Sequence, residues 1–168
     1  MLRDAEKFQL LYPRKMLRKL IRLFKTPRTT RMQKPRKVIL RKEGVHYNLD
    51  EIYTKVNQTY FEGKLNLHIT WFNPKKTRYQ RRIVLGSFHR DKNLVKINRV
   101  LDQADIPEYY ISFIVYHEML HHVAPPIIQR FRKRQIHHQE FKDLEKKFHD
   151  YALVKEFRKK SKMRWFVD

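Results

Sequence analysis

Residues 109–123 carry apolar side chains nearly all the way round a helical wheel: Ile111, Phe113, Ile114, Val115, Tyr116, Met119 and Leu120 leave no broad polar face. A helix of that kind is buried. Pro125-Pro126 ends it, because proline is excluded from helix interiors and biases its predecessor away from helical angles. Downstream, His137, Phe141, Leu144, Phe148 and Tyr151 recur at helical period, which predicts a second helix reaching about residue 157 with this set as its buried stripe. His138 falls instead with Lys142, Glu145 and His149, on what reads as a solvated face. Upstream, Asn48 and Glu51 make a capping-box start for a helix burying Leu49, Ile52, Tyr53, Val56 and Tyr60, and Gly63 is its natural stop. Leu65, Leu67, Ile69 and Trp71 then alternate with Asn66, His68 and Thr70, a half-buried strand with His68 on its polar side. Residues 82–88 and 94–98 read as two more strands joined by the turn 90–93. The order helix, three strands, helix, helix predicts an α+β fold.

The first 43 residues differ. From 14 to 25, Met16, Leu17, Leu20, Ile21 and Phe24 alternate by helical period with Arg14, Lys15, Arg18, Lys19, Arg22 and Lys25, a basic amphipathic helix. Residues 26–37 hold Pro27, Pro35 and many cations with almost nothing apolar, and read as a linker. The expected organisation is a basic arm over 1–43, a globular domain over 44–157 and a basic tail over 158–168. Trp165-Phe166 in that tail tucks into the core or stacks on a base, the former being favoured.

Composition narrows the class. The chain has 168 residues with 41% hydrophobic content, enough for one domain and an arm. No apolar run approaches the roughly 20 residues of a membrane span, no signal peptide is apparent, and the absence of cysteine excludes a disulfide framework. An intracellular, cytoplasmic monomer is expected. Charge adds a partner. Lys and Arg number 39 against 17 Asp and Glu, for a net +22, and residues 1–43 alone contribute 15 basic and 3 acidic side chains. That density suits DNA, RNA or a ribosome and, less well, an anionic membrane surface. The expected contacts are the six cations of the amphipathic helix together with Lys75, Lys76, Arg78, Arg81 and Arg82, which surround Tyr79 in a loop.

The apolar helix carries the chemistry. His117-Glu118-Met119-Leu120-His121 reads H-E-x-x-H, and a four-residue spacing stacks both histidines on one face, where they can hold one metal ion. Two histidines and a glutamate in a buried helix are costly unless a metal or hydrogen bonds satisfy them. Glu118, displaced by roughly 100° around the axis, reaches a water beside that ion without becoming a ligand. Zinc lowers the pKa of such a water to about 7, and the carboxylate can take its proton as it attacks a carbonyl. A catalytic site needs a third ligand. The longer H-E-x-x-H-x-x-G-x-x-H pattern would need Gly at Ala124 and His at Ile127, and fails. His137, on the buried stripe, is the first choice; Glu140 and then His138 follow. Tyr151, on the same stripe, is a candidate transition-state stabiliser.

Tyr60-Phe61-Glu62-Gly63-Lys64-Leu65, the strand Leu67-His68-Ile69-Thr70-Trp71, Gly86-Ser87-Phe88, Ile97-Asn98-Arg99 with Leu101, Tyr116-His117-Glu118-Met119-Leu120-His121 and His137-His138-Gln139-Glu140-Phe141 together resemble an SprT-like domain. This is the zincin-type metalloprotease domain of bacterial SprT and eukaryotic Spartan. The resemblance covers residues 48–151. It implies a zincin-like fold, a third ligand that is a histidine followed four residues later by Phe (here His137 with Phe141), and proteolysis of proteins crosslinked to or held on DNA. Many members carry a cysteine-rich zinc ribbon after the protease domain; this chain has no cysteine, so any nucleic-acid contact uses other surfaces. The rival expectation is a non-catalytic nucleic-acid- or ribosome-binding module with a structural zinc. Cysteines usually dominate structural zinc sites, and Glu118 would be superfluous in one.

Overall fold

Among the described residues, the first helix begins where the sequence says it should. Asn48 Oδ1 accepts the Asp50 N–H at 2.9 Å, and Asn48 Nδ2 donates to Glu51 Oε1 at 2.9 Å. This helix, α1, spans Leu49–Phe61 and ends on two left-handed residues, Glu62 at φ 56° and Gly63 at φ 69°. Leu49, Ile52 and Val56 are buried as its period requires. Asn57 is buried too, because its amide exchanges two bonds with the Leu65 backbone, to the carbonyl at 2.9 Å and from the N–H at 3.2 Å. The computed structural model describes residues 39–73, 83–128 and 134–161, with the backbone of Trp165–Phe166. The amphipathic segment with Arg14, Lys15, Arg18, Lys19, Arg22 and Lys25, and the loop cations Lys75, Lys76, Arg78, Arg81 and Arg82, lie outside the described residues.

The strands are β1 (His68–Phe72), β2 (Ile83–Val84), β3 (Gly86–His89) and β4 (Leu94–Asn98). β4 lies in the middle of a mixed sheet ordered β1-β4-β3, parallel to β1 and antiparallel to β3. The single strand expected over 82–88 is broken at Leu85. That side chain is fully buried, the Leu85 carbonyl accepts the Asn98 N–H at 2.8 Å, and Asn98 Nδ2 donates to the Val84 carbonyl at 2.7 Å. β2 is thereby released to pair in parallel with β5, Trp165–Phe166, so the end of the chain contributes a strand. Thr70, expected on the polar side of β1, is buried. Its Oγ1 accepts the Arg41 N–H at 2.8 Å, and the Arg41 carbonyl accepts the Trp71 N–H at 2.8 Å. Arg41 thus bonds along the outer edge of β1.

Asp102 fastens the same stretch from the other end. Its carboxylate accepts the backbone N–H groups of Val45, His46 and Tyr47 at 2.7, 2.9 and 3.2 Å. Burial opposes ionisation of Asp102, but the three N–H donors and nearby Arg99 outweigh it and hold its pKa below the usual carboxylate range.

The apolar helix is α2, Glu108–Val123, with every residue from Tyr110 to His121 buried. Downstream the structure corrects the sequence reading. The helix expected across 137–157 is two: α3, Gln139–Glu145, and α4, Tyr151–Lys160. His137 precedes α3, and His138 is its N-cap residue, 4% exposed, with Nε2 at 3.3 Å from the Pro125 carbonyl. The cause of the break is local. Tyr116 Oη donates to the Leu144 carbonyl at 2.7 Å, which otherwise accepts the Lys147 N–H three residues on rather than the Phe148 N–H four on. The tighter turn delivers Phe148 into an aromatic cluster, its ring centroid 5.4 to 5.5 Å from those of Tyr60, Phe113 and Tyr116. Among the described residues no helix is long and apolar enough to cross a membrane.

Candidate metal centre

One turn of α2 separates His117 from His121, and their ring centroids are 4.9 Å apart. The bend before α3 brings His137 to 5.0 Å from the first and 5.1 Å from the second. One nitrogen from each imidazole lies within 4.8 Å of the other two. His121 Nε2 and His137 Nε2 are 3.4 Å apart. Metal–nitrogen bonds of about 2.0–2.1 Å in a tetrahedron hold ligand nitrogens roughly 3.3 Å apart, so this pair already has the spacing of two ligands on one ion. His117 and His121 are buried and His137 half-buried, so the cluster has one side toward solvent. The residues present fit a metal ion.

The imidazoles rest on one another's support. Phe141, fully buried on α3, has its ring centroid 5.0, 4.7 and 4.8 Å from those of His117, His121 and His137. His117 Nδ1–H donates to Glu145 Oε1 at 2.8 Å, which leaves Nε2 as the lone-pair nitrogen for a metal. Burial pushes the Glu145 carboxyl up, but the hydrogen bond from His117 and the nearby Arg158 guanidinium hold its pKa below the usual value. Burial, with Tyr60 and Glu145 close by, raises the Tyr116 phenol to about 12, so it stays protonated and keeps donating to Leu144. Adjacent residues of α2, Tyr116 and His117, therefore grip adjacent residues of α3, Leu144 and Glu145.

Glu118 is 1% exposed and points at β3. A Cβ built on Gly86 would meet its Oε1 and would stand 2.7 Å from its Cγ and 2.9 Å from its Cδ. Only glycine at this strand position leaves room for the carboxylate. The two elements enclose a cavity of about 230 Å³, walled by Ser87 and Phe88 of β3, Glu118 and His121 of α2, and Pro126 and Ile136 of the following loop. A larger cavity of about 440 Å³ between α1 and the start of α2 is lined by groups such as Lys55, Glu108 and His149, and by none of the clustered histidines. Chemistry rather than size marks the smaller one.

Of the alternative ligands, Glu140 is exposed and His138 turns toward Pro125; neither joins the cluster. The solvated face read for His138 and Glu145 is corrected: the first is buried and the second half-buried against His117. Tyr151 begins α4 with its ring 6.0 Å from Phe113 and does not line the 230 Å³ cavity. Neither Glu145 nor Gly86 was read in the sequence as a residue of the site. A ligating histidine generally needs a carboxylate or carbonyl behind it, which pointed to an acid near the third ligand. A glycine inside a strand signals a close approach, which pointed to Gly86. A scan against family models and a search of curated proteins each returned no match for this chain.

Proposed function

We propose that this chain is a zinc-dependent endopeptidase of the SprT-like, zincin type, acting on proteins bound or crosslinked to nucleic acid. The observation that carries the proposal is the convergence of His117, His121 and His137, with His121 and the buried carboxylate of Glu118 sharing a cavity beside β3. Zinc held by imidazoles in this way acidifies water to a pKa of about 7 and polarises a carbonyl. His117, His121 and His137 are the ligands, with Glu145 orienting the first. Glu118 takes the proton of the attacking water and delivers it to the leaving amine. β3 has β4 on one side and, among the described residues, no strand on the other. A substrate backbone added there as a strand would lie across the cavity, and main-chain pairing of this kind demands little sequence. The net charge of +22 supports a nucleic-acid tether.

The test is cleavage of a DNA-binding protein, with and without DNA, by zinc-loaded wild type and Glu118→Gln. Wild type is expected to cleave, and the variant to keep its zinc and lose activity by about 10²–10⁴-fold, since Gln accepts no proton. Equal cleavage by both would sink the general-base role. Cleavage by neither, under either condition, would favour a non-catalytic binding module.

A further inference from the structure

The cavity beside Glu118 is lined by two arginines, Arg90 from the turn after β3 and Arg134 from the loop returning to His137. Arg90 commits one N–H to the His121 carbonyl at 2.6 Å, and its guanidinium carbon stands 5.8 Å from the centre of the Phe88 ring. That bond anchors it at the C-terminal end of the metal-binding helix. Among the described residues neither arginine forms an ion pair with a carboxylate. Among the described residues the one acid in the wall is Glu118; the rest of the lining is Ser87, Phe88, His121, Pro126 and Ile136. Two exposed arginines that converge on one cavity without an ion-paired carboxylate are an incomplete arrangement, because a guanidinium fork matches a planar carboxylate.

We propose that this cavity is a subsite for a carboxylate of the peptide substrate, received by Arg90 and Arg134 next to the scissile bond. The inference rests on the peptidase reading and adds the substrate's chemistry to it. At 230 Å³ the cavity lies below the roughly 300–1,000 Å³ of ordinary ligand pockets, so it takes one side chain or a chain end rather than a nucleotide. The carboxylate can come from Asp or Glu within the substrate or from its C-terminus. Arg90 also positions His121 through its carbonyl, so Arg134 is the residue on which the specificity is separable.

The experiment is binding without turnover, in the full-length Glu118→Gln protein loaded with zinc. Fluorescence anisotropy compares labelled peptides that carry Glu or Gln at one position, walked along the sequence, and a second set ending in an acid or an amide. At one position, Glu is expected to bind about tenfold tighter than Gln, the range of one charge-assisted contact at a half-open site. Arg134→Gln should erase that preference while leaving the Gln peptides unchanged, and Arg134→Lys should restore part of it. A preference confined to the terminal acid supports the subsite and names the chain end as its source. Equal binding of every Glu/Gln and acid/amide pair, with the peptides still bound, overturns the subsite and leaves the peptidase standing. Failure of all peptides to bind counts against both. If Arg134→Gln weakens a single-stranded oligonucleotide and leaves the peptide ratios alone, the cavity serves a phosphate and the carboxylate proposal is wrong.

Discussion

His117 is held from behind by Glu145. The 2.8 Å bond fixes which imidazole nitrogen faces the cluster, so its loss costs the metal before it costs the fold. Glu145→Ala should weaken zinc binding by about 10–100-fold in competition with a chelator, and Glu145→Gln, which keeps an acceptor oxygen, should recover much of it. An unchanged affinity in the alanine variant would remove Glu145 from the site. His117, Glu118 and His121 were legible because the geometry of a single helical turn is local. Glu145 was not. Grouped with Lys142 and His149 it reads as solvated, yet on α3 it stands one turn after Phe141, the ring that packs on His117. Gly86 was legible as a glycine in a strand, but nothing in the sequence says that the group crowding it is Glu118.

At the scale of elements, the hydrophobic stripe named the right residues on the wrong backbone. Phe141 and Phe148 are buried as the period required, yet they stand on either side of a turn. Sequence periodicity records which side chains seek the core; it does not record that Tyr116 takes a carbonyl and ends a helix. His137 reaches the cluster from the bend before α3, while the aromatic it was paired with, Phe141, supports all three rings. Asp102 tests the packing of the other end of the domain. Its folded pKa is depressed, so the stability it contributes is complete above its unfolded value of about 3.9 and is lost as pH falls through the lower folded value. Urea midpoints should therefore drop on acidification below about pH 4 in wild type. Asp102→Asn should start lower near neutrality and lose less over that window. Parallel pH profiles for the two proteins would show that the carboxylate is not what fastens residues 45–47.

For the whole molecule, charge and chemistry are divided along the chain. The basic arm is legible as composition, and the contribution proposed for it is electrostatic. Each phosphate neutralised on duplex DNA adds about −0.9 to the slope of log K against log salt, so an arm meeting roughly six phosphates gives a slope near about −5. Arg41 and Lys42 bond to Thr70, Trp71 and Leu49 through their backbones, so an informative deletion starts the chain at Ile39 and spares them. That protein should bind DNA with a much flatter slope; full-length affinity and slope would rule the arm out as the tether. What joins all scales is the claim that three imidazoles, two from one helix and one from a bend, make a single metal centre. The direct measurement is the zinc content of purified wild type, His137→Ala and His138→Ala. One zinc per chain is expected in wild type and in His138→Ala, and its loss in His137→Ala. Zinc retained by His137→Ala and lost from His138→Ala would contradict it.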